Sequence, residues 1–128
     1  MTRADTILIV EDNPELLHLL HELLGREYRA LTARRGEEAI ELARQWRPRV
    51  VILDLHLPTM DGIEVGRWIK KELGRDQVSI LVLTALAGKG DSEAILHSGI
   101  CDAYMAKPAP LAAIRGKVRE LLDAAAAA

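Results

Sequence analysis

The sequence predicts an α/β fold of the doubly wound (βα)5 kind. Short runs rich in Val, Ile and Leu alternate with longer amphipathic stretches, the pattern of repeated βα units on a parallel sheet. Several of those runs end in an acid, a hydroxyl or a lysine. In open α/β sheets the carboxyl ends of the strands are where ligands bind. The 128 residues suit one domain, long enough to bury a core, and neither an internal repeat nor a second domain is visible.

The first strand is expected at about Thr6–Val10. A helix follows from Asn13-Pro14, since proline suits the first helical turn. Its Leu16, Leu17, Leu20, Leu23 and Leu24 lie on one side, and Gly25 is a plausible stop. The second strand is about Tyr28–Ala33, and the second helix runs from about Gly36 to Trp46, ended by Arg47-Pro48. The third strand, Val50–Asp54, is unbroken in hydrophobicity until its last residue, as for a central strand covered on both faces. Asp61-Gly62-Ile63-Glu64 has the spacing of a capping box and opens a third helix with a Val65, Ile69, Leu73 stripe. The fourth strand is Ser79–Thr84. Gly88-Lys89-Gly90-Asp91 reads as a loop before a short fourth helix, about Ser92–Ser98. A fifth strand, about Asp102–Ala106, precedes a fifth helix that turns Leu111, Ile114, Val118, Leu121 and Leu122 to one face. Ala124–Ala128 extends that helix or forms a linker stub.

Composition removes several function classes. Phe is absent and aromatics are 3%, so the core must be aliphatic, and a stacking platform for single-stranded nucleic acid is disfavoured. A formal net charge of -2 gives no broad basic field for nucleic acid. The densest basic pairs, Arg34-Arg35 and Lys70-Lys71, read as solvated helix or loop faces. The single cysteine, Cys101, allows no internal disulfide and no thiolate metal cage, and it reads as a small buried hydrophobe of a protein from a reducing cytosol. No apolar stretch reaches the roughly 18 residues of a spanning helix, and no signal-peptide pattern opens the chain.

The ends of strands one, three, four and five supply Glu11 and Asp12, Asp54, Thr84 and Lys107. Mg²⁺ prefers oxygen ligands and commonly bridges one or two carboxylates to a phosphate. Asp12 and Asp54 are the expected direct ligands, with Glu11 direct or through water. Neighbouring carboxylates also repel one another and need a cation between them. Asp54, on the central strand, is the expected nucleophile for forming an acyl phosphate. Lys107 and Thr84 would neutralise and hydrogen-bond the phosphoryl oxygens. Taken singly, Asp12 and Asp61 read as helix caps, and Thr84 and Lys107 as ordinary strand-end residues. Their joint occurrence, on different strand ends, is the informative feature.

These motifs closely resemble the receiver domain of two-component response regulators. The resemblance rests on Ile7-Leu8-Ile9-Val10-Glu11-Asp12-Asn13, Leu53-Asp54-Leu55-His56-Leu57-Pro58-Thr59-Met60-Asp61-Gly62, Leu83-Thr84-Ala85 and Tyr104-Met105-Ala106-Lys107-Pro108, and covers about residues 5–123. It implies a five-stranded sheet in the flavodoxin-like order 2-1-3-4-5. It implies a phosphorelay protein, a phosphoacceptor that assists only its own phosphorylation and dephosphorylation. Asp54 would take a phosphoryl group from a sensor histidine kinase or phosphotransfer protein. Mg²⁺ (or Mn²⁺) would be held by Asp12, Asp54 and the backbone carbonyl of His56, with Glu11 nearby. Thr84 and Tyr104 would act as switch residues, remodelling the face of helix four, strand five and helix five for a downstream partner. Pro108 would follow a cis bond that aims Lys107 into the site. The same resemblance implies a cytoplasmic protein without direct nucleic-acid or membrane binding, and allows a phosphorylation-dependent homodimer.

The chain departs from the family where Phe usually follows Lys-Pro. Here Ala109-Pro110 stand there, which puts the start of helix five and the shape of the partner face in question. The rival readings are weaker. A haloacid-dehalogenase-type hydrolase needs an acid two residues after the nucleophile, where this chain has His56. A flavin carrier would need hydroxyls and backbone donors where Glu11-Asp12 stand. Gly88-Lys89-Gly90 lacks the spacing of a P-loop. A receiver-fold interaction module that accepts no phosphate is the alternative that remains. In the family, the residues two beyond the phosphoacceptor and the switch threonine tune phosphate lifetime; here they are His56 and Leu86. Apolar Leu86 is expected to hinder the attacking water. Leu86→Glu should therefore shorten the lifetime in a dephosphorylation time course, and an unchanged or slower decay would count against that role.

Overall fold

A computed structural model of the chain describes residues 6–85 and 89–127. Five strands, β1 (Thr6–Val10), β2 (Arg29–Ala33), β3 (Val50–Leu53), β4 (Ser79–Thr84) and β5 (Ala103–Ala106), alternate with five helices. The helices are α1 (Pro14–Leu24), α2 (Gly36–Trp46), α3 (Gly62–Leu73), α4 (Lys89–Ser98) and α5 (Leu111–Ala127). All strand pairs are parallel, in the order β2-β1-β3-β4-β5. This is the expected doubly wound architecture, including the strand order. No helix among the described residues is long and apolar enough to cross a membrane.

The sheet separates two aliphatic cores because strand side chains alternate faces. In β1, Leu8 and Val10 point to one side, joining Val51 and Leu53 of β3, Ala39 and Ala43 of α2, Val65 and Ile69 of α3, and Ile95 of α4. Ile7 and Ile9 point to the other, joining Val50 and Ile52 of β3, Leu20 and Leu24 of α1, and Ile114 and Val118 of α5. A strand buried on both faces cannot alternate apolar with polar residues, which is why β1 and β3 read as continuous hydrophobic runs. Burying each such side chain contributes about 1.5–3 kcal/mol.

Local chemistry sets the helix ends. Asn13 Oδ1 accepts hydrogen bonds from the backbone N–H groups of Glu15 and Leu16, with Pro14 opening α1. Arg47 takes a left-handed conformation, φ 49°, after α2, and Pro48 follows. Asp61 caps α3, but its Oδ1 accepts from Ile63 N at 2.9 Å, one residue short of the capping-box position. The fourth helix begins at Lys89, earlier than its expected start at Ser92. Gly90 falls in its first turn, and even in a helix interior a glycine costs only about 1 kcal/mol. The fifth helix starts directly after Pro110, whose carbonyl accepts from Ala113 and Ile114.

Two packing features were not visible in the sequence. Lys70, expected on a solvated face, is 6% exposed. Its ammonium donates to Asp102 at 2.6 Å and to the Val78 carbonyl at 2.8 Å, tying α3 to the chain entering β4 and β5. Asp102 Oδ2 also accepts Ile80 N–H at 2.7 Å. The second feature is Gly62. A Cβ there would lie 2.4 Å from Leu55 Cα and 2.8 Å from the Asp54 carbonyl oxygen. The backbone of α3 must therefore touch the chain leaving β3, and only glycine permits that approach. Gly62→Ala should destabilise the fold by about 1–3 kcal/mol, the usual cost of overpacking. Urea unfolding checks this, and a midpoint equal to the parent's would show that the loop yields at no cost.

Candidate functional site

Parallel register brings the strand ends level. Val10 pairs with Leu53, Leu53 with Val82, and Thr84 with Ala106. The ladder continues past the strands: Asp54 N–H donates to the Val10 carbonyl, Glu11 N–H to Ala33, and Lys107 N–H to Thr84, each at 3.0 Å. The residues immediately after β1, β3 and β5 are thus held by sheet hydrogen bonds, with Thr84 as the last residue of β4. Glu11, Asp54 and Thr84 are buried.

Their side chains converge. Lys107 Nζ lies 2.6 Å from Glu11 Oε1 and 3.1 Å from Asp54 Oδ2. Asp54 Oδ1 accepts hydrogen bonds from Thr84 Oγ1 at 3.0 Å and from the backbone N–H of His56 at 3.1 Å. Glu11 Oε2 accepts from Asn13 N–H at 3.0 Å. The Lys107-Pro108 peptide bond is cis. Two buried carboxylates share one ammonium, so negative charge is in excess. Burial pushes the Glu11 carboxyl above the ordinary carboxylate range, against the pull of Lys107 and Asn13, and the charge of Asp54 adds to the rise. Burial alone would push the Lys107 ammonium down, but the hydrogen bond to Glu11 and the charge of Asp54 outweigh it and hold its pKa above the ordinary lysine value.

Asp12 stands apart from this cluster. Its side chain is half exposed, with Oδ1 4.0 Å from Arg34 Nη2, and the same nitrogen donates to the Asp12 backbone carbonyl at 3.3 Å. Arg34 is exposed, as its sequence suggests. It follows Ala33, the partner of Val10 across β1 and β2, so it lies level with Glu11 and Asp12. Only the strand order discloses that. His56 is exposed, and its Nε2 lies 3.1 Å from the Ala85 carbonyl. Tyr104, half-buried in β5, packs against the α2–α4 core, and its hydroxyl is buried without a hydrogen-bond partner among the described residues. Leu86 lies outside the described residues. A cleft of about 480 Å³ opens beside Asp12, lined also by His56, Pro58, Asp61 and Ala94.

Among the described residues, no three His, Cys, Asp or Glu side chains are gathered into a metal cage. Mg²⁺ does not require one. It usually keeps several waters and takes one or two carboxylates. An all-oxygen donor set with an excess of buried negative charge, next to a cleft that Asp12 lines, fits such an ion.

Removing Lys107 tests the charge balance. Its stabilising contribution is fully present below the ordinary lysine pKa and is lost as pH rises through the raised value. Glu11 acts in the same sense in a lower window, because its raised pKa makes stability fall as pH rises from the ordinary carboxylate value through the shifted one. Lys107→Met leaves both carboxylates unpaired. At pH 7 without divalent cations it should cost about 3 kcal/mol, the lower end of the range for breaking a buried pair, because the ammonium is partly exposed. The deficit should shrink as acidification protonates Glu11. Denaturant midpoints across pH check this, and a deficit independent of pH would contradict it.

Known proteins share this sequence and architecture. The family model described as the response regulator receiver domain matches residues 7–119. A polar-differentiation response regulator, DivK, from Brucella anthropi is 38% identical over 104 residues, covering 80% of this chain and 84% of that protein. The CheY-like receiver domain from Methanospirillum hungatei JF-1 superposes with a TM-score of 0.86 at 27% identity, covering 94% of this chain and 95% of that one. The receiver domain of sensor histidine kinase PA1611 from Pseudomonas aeruginosa PAO1 superposes with a TM-score of 0.80 at 31% identity, covering 93% and 98%. That crystal structure has a magnesium ion coordinated in its active-site cleft. Sequence match and shared architecture agree over nearly the whole length described, and the chain belongs to the response regulator receiver domain family.

Proposed function

We propose that this receiver domain accepts a phosphoryl group on Asp54 from the phosphohistidine of a sensor histidine kinase or phosphotransfer protein. The observation that carries the reading is the Asp54 carboxylate, held at a buried strand end by Lys107, Thr84 and the His56 N–H. An Asp54 carboxylate oxygen attacks phosphorus. The bond to the donor imidazole nitrogen breaks, its electron pair stays on that nitrogen, and an acyl phosphate remains. Little covalent work falls to the protein in such a transfer; positioning and charge neutralisation dominate. Lys107 turns from the carboxylates to the phosphoryl oxygens, and the Thr84 hydroxyl donates to another. Asp12, Asp54 and the His56 backbone carbonyl would hold Mg²⁺ or Mn²⁺, with Glu11 direct or through water. Bound there, the ion supplies positive charge to a phosphoryl oxygen.

The output follows from Thr84 and Tyr104. Thr84 is committed to Asp54 before phosphorylation and would move with the new phosphoryl group. The Tyr104 hydroxyl, buried and without a partner among the described residues, has a hydrogen bond to gain from any rearrangement that offers an acceptor. Together they form a two-state element that a local charge can bias, and the surface of α4, β5 and α5 is the face it would remodel for a downstream protein. In this reading the domain is a cytoplasmic signalling module whose chemistry serves its own modification and loss of phosphate.

Incubation with Mg²⁺ and a small acyl phosphate donor, followed by intact mass measurement, is the test. One added phosphoryl group is expected on the parent chain and none on Asp54→Asn. No mass gain, or a gain that persists in the variant, would favour an interaction module that carries no phosphate.

A further inference from the structure

Each acid of the site has a protein cation beside it, but not the same one. Lys107 serves Glu11 and Asp54. Arg34 serves Asp12, from β2 on the far side of β1. The Arg34 guanidinium is anchored on the Asp12 backbone carbonyl at 3.3 Å, with the carboxylate in reach at 4.0 Å. Both side chains are about half exposed, so the contact is reversible rather than locked. Pro58 and Asp12 are shared between the cleft lined by His56 and Asp61 and a second cleft, about 530 Å³, walled by Arg34, Arg35 and Glu38. Asp12 thus lies on the boundary between the two clefts.

From this we infer that Arg34 competes with the divalent cation for Asp12, acting as a positioning residue that keeps this carboxylate turned from the site until the ion displaces it. The inference rests on the reading of Asp12 as a metal ligand. A guanidinium and a hydrated divalent ion cannot occupy one carboxylate together without close repulsion between like charges. Cation uptake must therefore break the Arg34 contact, and the cost of breaking it is subtracted from the affinity. Arg35 provides an internal control. It lies on the same loop, carries the same charge and walls the same cleft, but no hydrogen bond or ion pair joins it to Asp12 among the described residues. Any general effect of positive charge on cation binding should appear at both positions, whereas competition for Asp12 should appear at one.

The experiment is isothermal titration of the unphosphorylated chain with MgCl₂ at low ionic strength. Parent, R34Q and R35Q are compared, each first shown by circular dichroism to be folded. R34Q should bind Mg²⁺ about two- to fivefold more tightly, the range an exposed ion pair supports. R35Q should bind as the parent does. The R34Q advantage should shrink at high salt, where exposed charges are screened. Equal or weaker binding by R34Q, or an equal gain in R35Q, would overturn the role of Arg34 while leaving the phosphoacceptor site intact. A parent chain that takes up no Mg²⁺ at all would overturn the metal-site reading and the competition together.

Discussion

One ammonium shared by two buried carboxylates is the interaction on which the site depends. Lys107 reaches Glu11 and Asp54 from the far side of β4, so this contact closes across the middle of the sheet. Carboxylates on adjacent parallel strands would repel if left alone in a dry interior, and burial already pushes Glu11 toward its neutral form. The lysine makes the arrangement tolerable without making it neutral. The leftover negative charge is what any cation approaching this rim would meet.

The rest of the fold holds this charge cluster at the rim. Parallel strands need long crossovers, and helices on both faces leave the carboxyl edge uncovered. The sheet's hydrogen bonds extend one residue beyond β1, β3 and β5, so Glu11, Asp54 and Lys107 begin from fixed backbone positions. Aliphatic packing on both faces fixes the strands themselves. The loop after Asp54 is shaped by contact as well, because α3 meets its backbone at Gly62. Precision at the site comes from this backbone constraint.

Membership of the receiver family places the chain among two-component response regulators, and its particular residues give it an individual character. Ala109-Pro110 replaces the usual aromatic, yet α5 still begins directly afterwards, because the Pro110 carbonyl accepts the first helical N–H groups. Arg34 sets a second cation against the site at Asp12. Lys70 secures the opposite end of the sheet, where α3 meets the entries to β4 and β5. The charge balance around Asp54 and the clamp at the base are separate devices at opposite ends of the sheet.

The amino-acid order by itself determined the element sequence and the strand ends at which Glu11, Asp54, Thr84 and Lys107 stand. Those features are written locally, in unbroken apolar runs, in the 3.6-residue stripes of the helices and in caps such as Asn13-Pro14. The strand order came from family likeness, not from the periodicity. Only the tertiary structure decided which cation each acid takes, that Lys70 is buried while Lys71 is exposed, and that Gly62 must be a glycine. The physical reason is distance along the chain. A pairing such as Arg34 with Asp12, or Lys70 with Asp102, joins segments that no local pattern connects, and it exists only once the sheet has set them side by side.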